Sequence, residues 1–409
     1  MSFRPVFIAV LIAFALIISA FLINRARPRG ETEQRSAEFV RASGKCAECH
    51  SRLQYSVVHE YEMSRHAQQG VNCLDCHQPS TNQRKQEHHG FTIAVKLTAG
   101  NCRNCHEAIY QEFLHSRHAA VSWAAVFGAE GLKPEQVDFA ERFQPGYARR
   151  PPHPFVTLEG PSAMASGCAN CHSVGKPNDD GTIGTCTSCH TRHTSSVAIA
   201  RLPTTCGKCH LGPDHSQLEI YEESKHGVMF HAQERLLNLD APSRTLSTRD
   251  MWIPTCATCH MSGINGQKVT HDPSDRLSYY LADPITKPRP NKEHAADAMK
   301  QVCNQCHARP IIDRVYAEAE RIVANTNQQV QQASDLMASL RKEGLLHAPF
   351  SQPIDFVYFD LWHYDGRTSK HGAFMGGADF VQWHGNYPRL ARSVEMRAQA
   401  DYLRRRHGR

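Results

Sequence analysis

Little in this sequence could close an ordinary apolar core. Aromatic residues make up 8% of the 409 and hydrophobic residues 41%, and the mean hydropathy is −0.49. A chain of this length would usually hold two or three side-chain cores. This composition supplies too little apolar surface for them unless something other than side chains fills the interior. No evenly spaced repeat is present, which excludes a solenoid. No Lys/Arg run interleaves with aromatics on which bases could stack, which excludes the usual nucleic-acid surface. Beyond residue 23 there is no long hydrophobic run, and no cysteine stands outside one motif.

That motif is C-x-x-C-H. All 16 cysteines belong to it, in eight copies. They are Cys46-Cys49-His50, Cys73-Cys76-His77, Cys102-Cys105-His106 and Cys168-Cys171-His172, followed by Cys186-Cys189-His190, Cys206-Cys209-His210, Cys256-Cys259-His260 and Cys303-Cys306-His307. Two thiols three residues apart can add to the two vinyl groups of a porphyrin, and the next residue, His, becomes the proximal iron ligand. Zinc sites would group the cysteines as pairs of pairs, and a thioredoxin-like site needs only one copy. The sequence therefore predicts eight covalent c-type hemes. With about 51 residues for each, the macrocycles themselves form the core. The expected fold is mainly α, a multiheme cytochrome c with the hemes as its core and long C-terminal helices.

The formal charge of +6 says little about partners, because two ionised propionates on each ferric heme shift the total by roughly −8. Residues 6–23 are apolar apart from Ser19, and Arg25, Arg27 and Arg29 follow. This run predicts an uncleaved signal anchor over residues 1–30, the alternative being a cleaved signal peptide. The three arginines would place the following chain in the cytoplasm, whereas heme attachment takes place outside the inner membrane. Eight attachment motifs outweigh three arginines, so the body is expected on the periplasmic side.

Residues 31–307 form the expected octaheme-binding domain and 308–409 a C-terminal helical region that completes the site and a trimer interface. The prolines at 134, 145, 151, 152, 154 and 161 predict an ordered loop in the motif-free stretch 107–167. Ile312, Val315, Ala319, Ile322, Val323, Val330, Ala333, Met337 and Leu340 recur at helical spacing and predict a helix over 308–343. One heme-filled protomer is too small to cover so long a stripe, so a second subunit is expected on it. A further helix is expected from Pro388 to Arg406, with an aromatic loop between the two.

An iron held by two histidines passes electrons; one with an open side can bind substrate. Of 26 histidines, eighteen remain after the proximal eight. The distal candidates are His66, His89, His118, His193, His226, His271 and His371. His66, His118 and His226 stand out because each ends a Ser-Arg-His or Ser-Lys-His triplet where a helix end could aim the ring.

The strings at 186–227, 252–272 (WIPTCATCHMSGINGQKVTHD) and 371–387 (HGAFMGGADFVQWHGNY) resemble the hydroxylamine oxidoreductase family of octaheme cytochromes. The resemblance implies a homotrimer with seven bis-His hemes and one catalytic heme at the fourth motif, here Cys168, Cys171 and His172. It also maps the family's distal Asp-His pair onto Asp214 and His215. On its own, the GPDH string reads as a tight turn with a solvated Asp; the resemblance gives it a catalytic role. A His beside a carboxylate suits a reaction that moves several protons with several electrons. Oxidative members carry a tyrosine from a neighbouring subunit bonded to the catalytic heme; Tyr358, Tyr364 and Tyr387 are the candidates here. The implied substrate is hydroxylamine, nitrite or another small nitrogen compound, and the implied redox partner a cytochrome or quinone-linked protein. The rival readings are an electron conduit with eight bis-His hemes and an octaheme reductase of sulfur oxyanions.

Overall fold

The structure is a computed structural model that describes residues 44–408 apart from 130, 131, 144, 145 and 147–149. The expected anchor at 1–30 lies outside the described residues, and none of the described helices is long and apolar enough to cross a membrane. The fold is mainly helical, as expected. Paired strands among the described residues are a single hairpin, Lys85–His88 with Phe91–Ala94.

The chain divides into two compact units. The described part of the smaller runs from residue 44 to Asp75 with Arg192–Ser195. It contains the helices Lys45–Leu53, Tyr55–Glu62 and Arg65–Gln68. Ser64 caps the last of these by accepting from the Ala67 amide at 3.0 Å, which sets His66 at the second helical position.

The larger unit holds three apolar clusters, at 119–183, 221–302 and 330–403. Around the second and third motifs the buried apolar side chains are small: Ala94 and Ala99 are those of the 76–105 stretch. Loops between motifs are tied instead by buried arginines. Arg276 donates to the carbonyls of Cys259, Ser262 and Lys268 at 2.6–2.9 Å, and Arg201 to those of Leu239 and Ala241. A guanidinium with five donors can hold several carbonyls at once. Such an interior is consistent with hemes supplying the missing apolar volume.

The motifs themselves sit on short helical turns. Cys73–His77, Cys168–His172 and Cys256–His260 are each one five-residue helix. At helical spacing, positions i, i+3 and i+4 share a face, so both thiols and the imidazole point to the same side.

The motif-free stretch is not the loop that its prolines predict. It contains Ala120–Phe127, Pro134–Phe143 and Phe155–Ser166. Pro134 opens a helix and Pro154 precedes one, positions where the missing amide proton costs nothing. Only Pro161 lies inside, next to a break at Gly160, where φ is 79°.

The long helix runs Arg309–Lys342 and the last one Tyr387–Arg406, both close to expectation. Two expectations for this region fail. Of the apolar stripe, Ile312, Ala319, Val323, Val330, Ala333, Met337 and Leu340 are buried within the single chain, while Ile322 is half-buried and Val315 exposed, so most of its length needs no second subunit. Its cover is the 353–403 segment, with Ile354, Val357, Leu361, Met396, Ala400 and Leu403 in one cluster with its C-terminal half. That segment is also not a loop. It is helical as Pro353–Asp360, Arg367–Met375 and Ala378–Val381, joined and followed by π turns at Leu361–Gly366 and Gln382–Asn386.

Candidate functional site

Covalent c-type hemes are implied by the motifs, and ring geometry tests the fit. Two metal–imidazole bonds of about 2 Å, plus roughly 1 Å from each nitrogen to its ring centre, put two axial rings about 6 Å apart. His226 lies 5.9 Å from His307 and His271 6.4 Å from His190, centroid to centroid. His118 lies 5.9 Å from His210, and His215 lies 6.3 Å from that same ring. The pairs His226–His307, His271–His190 and His118–His210 each join a proximal histidine to one from a distant segment, whereas His215 is five residues from His210 on the same turn. Burial also pulls His118, His210, His226 and His271 below the usual imidazole range, so they are neutral and able to bind metal.

The thiols line up as well. No two of the 16 cysteines form a disulfide. Cys102 lies beside Cys186, Cys206 beside Cys256, and Cys171 beside Cys209, each close enough to perturb the other's thiol. Motifs three and five, six and seven, and four and six are therefore neighbours. The residues fit a set of closely spaced hemes.

His371 and His89 are placed differently. His371 is buried, with both ring nitrogens 3.3 Å from the Gln217 amide. His89 is exposed at the tip of the hairpin, edge-on to His88. In the smaller unit, His193 donates its backbone amide to Glu60 at 3.0 Å.

The fourth motif differs from these paired ones. The Nδ1–H of His172 donates to the Ser122 carbonyl at 2.6 Å, which orients the ring and frees Nε2 for iron. Asp214 and His215 lie close enough to perturb His172, and Asp214 also perturbs Cys168. Both stand on the turn that follows His210. Gly212 takes φ 84°, which only glycine adopts cheaply, and its amide donates to Glu219 at 2.7 Å. Thr368 clamps the turn from outside, donating to the Pro213 carbonyl at 3.1 Å and bonding Ser216 at 3.1 Å.

His215 donates its Nδ1–H to Asp214 Oδ2 at 2.6 Å, a short charge-assisted bond. His363 brings its Nε2 to 3.4 Å from the same oxygen. These bonds outweigh burial and hold the Asp214 carboxyl far below its usual range, so it is ionised. Burial pushes His363 down to about 4, assisted by Arg367 and opposed by Asp214. The sequence reading finds Asp214 and His215 but not His363, which a π turn brings in from 149 positions away.

Comparisons with known proteins agree with this geometry. A curated protein of Kuenenia stuttgartiensis, described as a probable nitrite reductase-hydroxylamine oxidoreductase fusion protein, is 29% identical over 235 residues. The match takes in 53% of this chain but 25% of that protein, so the chain spans about a quarter of its relative. A solved structure described as a hypothetical multiheme protein superposes with a TM-score of 0.77 at 19% identity, over 92% of this chain and 99% of its own. A reducing HAO-like protein complex of Kuenenia stuttgartiensis gives 0.66 at 21% identity, over 91% of this chain and 87% of its own. Both share the fold. The family model "Seven times multi-haem cytochrome CxxCH" matches residues 69–350, a span that contains seven of the eight motifs and leaves out only Cys46-Cys49-His50. With its motifs on helical turns and its histidines paired across them, the chain belongs to the multi-haem cytochrome CxxCH family.

Proposed function

We propose that this chain is an octaheme oxidoreductase that converts small nitrogen compounds at the heme of Cys168, Cys171 and His172, with the other seven hemes as relays. The observation that carries this reading is the Asp214–His215 pair beside the fourth motif, bonded at 2.6 Å. When bound, the heme there supplies an iron site for the substrate and a path for its electrons. The chain supplies the protons. With Nδ1–H engaged by Asp214, His215 presents Nε2, and the ionised carboxylate steadies the imidazolium that forms whenever this nitrogen takes up a proton.

Reduction is the preferred direction. The half-buried Arg367 lies with Arg117 and Arg150 against Asp214 and Asp283, three guanidiniums to two carboxylates, a setting that draws in an anion such as nitrite. A second reading, oxidation of hydroxylamine, is favoured by Tyr387, which is exposed and free to reach another copy of the chain. Assembly into a trimer is supported by a stripe on the outer face of the C-terminal region. Trp383, Tyr387, Leu390 and Val394, spaced four, three and four residues apart, are 49–60% exposed. Membrane attachment through residues 1–30 with a periplasmic body, and exchange with a cytochrome or quinone-linked protein, complete the proposal.

His215→Ala is the direct test. It should keep all eight hemes by mass spectrometry and slow nitrite or hydroxylamine turnover by about 10²–10⁴-fold, the usual contribution of a positioned acid or base. Unchanged turnover, with every heme low-spin, would leave the electron conduit as the better account. Mass spectrometry of a tyrosine-bearing heme peptide decides between the two directions.

A further inference from the structure

His363 Nε2 stands between two groups with opposite requirements. Arg367 Nη1 lies 2.9 Å away and can only donate. Asp214 Oδ2 lies 3.4 Å away and, ionised, can only accept. One nitrogen cannot serve both. The shorter contact belongs to Arg367, so Nε2 carries a lone pair and the ring proton sits on Nδ1. Nδ1 is buried and has no hydrogen-bond partner in the protein.

The ring has little freedom to escape this arrangement. Phe359 stacks on it at 4.2 Å, and Trp362 and Tyr364 meet it edge-on at 4.8 and 5.5 Å. Arg367 is itself fixed, with Nε donating to the Ala282 carbonyl at 2.8 Å and the guanidinium over Trp362. A buried N–H held in a site and left without a partner is a donor for a ligand.

We propose that Arg367 is a positioning residue that holds His363 neutral with its proton on Nδ1, and that this N–H donates to an oxygen of the bound substrate while Asp214 is left to His215. The proposal rests on the reading of the fourth motif as the substrate site. It assigns two jobs to two histidines: His215 moves protons, and His363 binds oxygen and stays uncharged. The charged and titratable groups that face His363 are Asp214 and His215 from the turn and Arg367 and Tyr364 from its own segment. Arg367 in turn faces Asp283, Arg117 and Arg150.

Four variants of the full-length holoprotein test this, assayed with nitrite and with hydroxylamine after confirming eight hemes by mass spectrometry. His363→Leu should raise KM by about tenfold, the loss of one hydrogen bond, with kcat much less affected. His363→Asn, which keeps an N–H near the Nδ1 position, should recover part of it. Arg367→Met removes the donor on Nε2, so the ring proton is free to move there, and it lifts the pH at which His363 ionises only in part, because burial is the larger cause of its low value. With its N–H on Nε2 the ring donates to Asp214 in competition with His215, so kcat/KM is lower than in the wild type and falls further on the acid side of the profile. Arg367→Lys keeps the charge and should restore most of the wild-type profile, and it carries the test if the Met variant does not fold. An unchanged KM in His363→Leu, or superimposable pH profiles for Arg367→Met and wild type, overturns the assignment. If His215→Ala is slow while these variants are normal, only the role of His363 falls. If His215→Ala is also normal, the substrate site itself is misplaced.

Discussion

His226→Ala is the sharpest probe of how the irons are held. His226 is the second residue of the helix Lys225–Gln233, whose cap is Ser224 Oγ, 3.2 Å from the Gly227 amide. Its ring centre lies 5.9 Å from that of His307, against about 6 Å for two imidazoles on one iron. Removing the imidazole leaves the thioether bonds at Cys303 and Cys306 and the proximal His307 untouched, so the heme should stay attached. Its iron should lose its sixth ligand and change from low-spin to high-spin. With seven low-spin relay hemes and one open heme, about one seventh of the low-spin intensity should move, and no more, because the other axial pairs do not share this ring. Quantitative electron paramagnetic resonance on the oxidised protein measures the transfer, with heme content checked by mass spectrometry. His231→Ala is the control: that ring is exposed, with Glu222 at 3.9 Å, and its loss should move nothing. A full low-spin count in His226→Ala would show that the 5.9 Å pairing does not reflect ligation, and would weaken the other pairs argued in the same way.

Burial pushes the Asp365 carboxyl up to about 6, despite Arg392 Nε at 2.8 Å. Between about pH 4 and 6 the folded state therefore keeps a proton that the unfolded chain releases. This group's contribution is fully present at the acid end of that window and declines as pH rises, by up to roughly 3 kcal/mol. Asp365→Asn should remove that slope, seen as a flatter pH dependence of urea unfolding than in the wild type; identical slopes would refute it. On the exposed stripe, Val394→Glu should convert any trimer to monomers in analytical ultracentrifugation with heme content and spectra unchanged, and a persisting trimer would place the interface elsewhere.

The Ser-x-His triplets are legible in sequence because capping is local: Ser64 and Ser224 each accept an amide three residues on, and the His is carried at a fixed offset. The 34-residue helix is legible because its buried side keeps one period throughout. Its cover is not, because a stripe shows that something must bury it and not what does. The 353–387 segment reads as a loop because two π turns break the 3.6-residue phase on which a helix is recognised. The proline-rich stretch misleads in the opposite sense, since Pro134 starts a helix that proline composition alone would forbid. Asp214 and His215 are adjacent in sequence and carry their resemblance with them. His363 reaches the same oxygen only through the docking of the C-terminal segment on the turn, a tertiary event with no local signature.

A π turn is, in effect, an α-helix that has gained one residue without breaking. The turn at Leu361–Gly366 therefore acts as a phase shifter between two stretches of ordinary helix. Everything before it packs on the long helix in one rotational setting, and Arg367 and the residues after it are turned by about 100° relative to where an uninterrupted helix would put them. One inserted codon is thus enough to aim His363 and Arg367 at Asp214 while the flanking packing stays in register. Deleting one residue there would return a smoother helix, and the loss would fall on the meeting of the two histidines with Asp214 more than on the bundle that carries it.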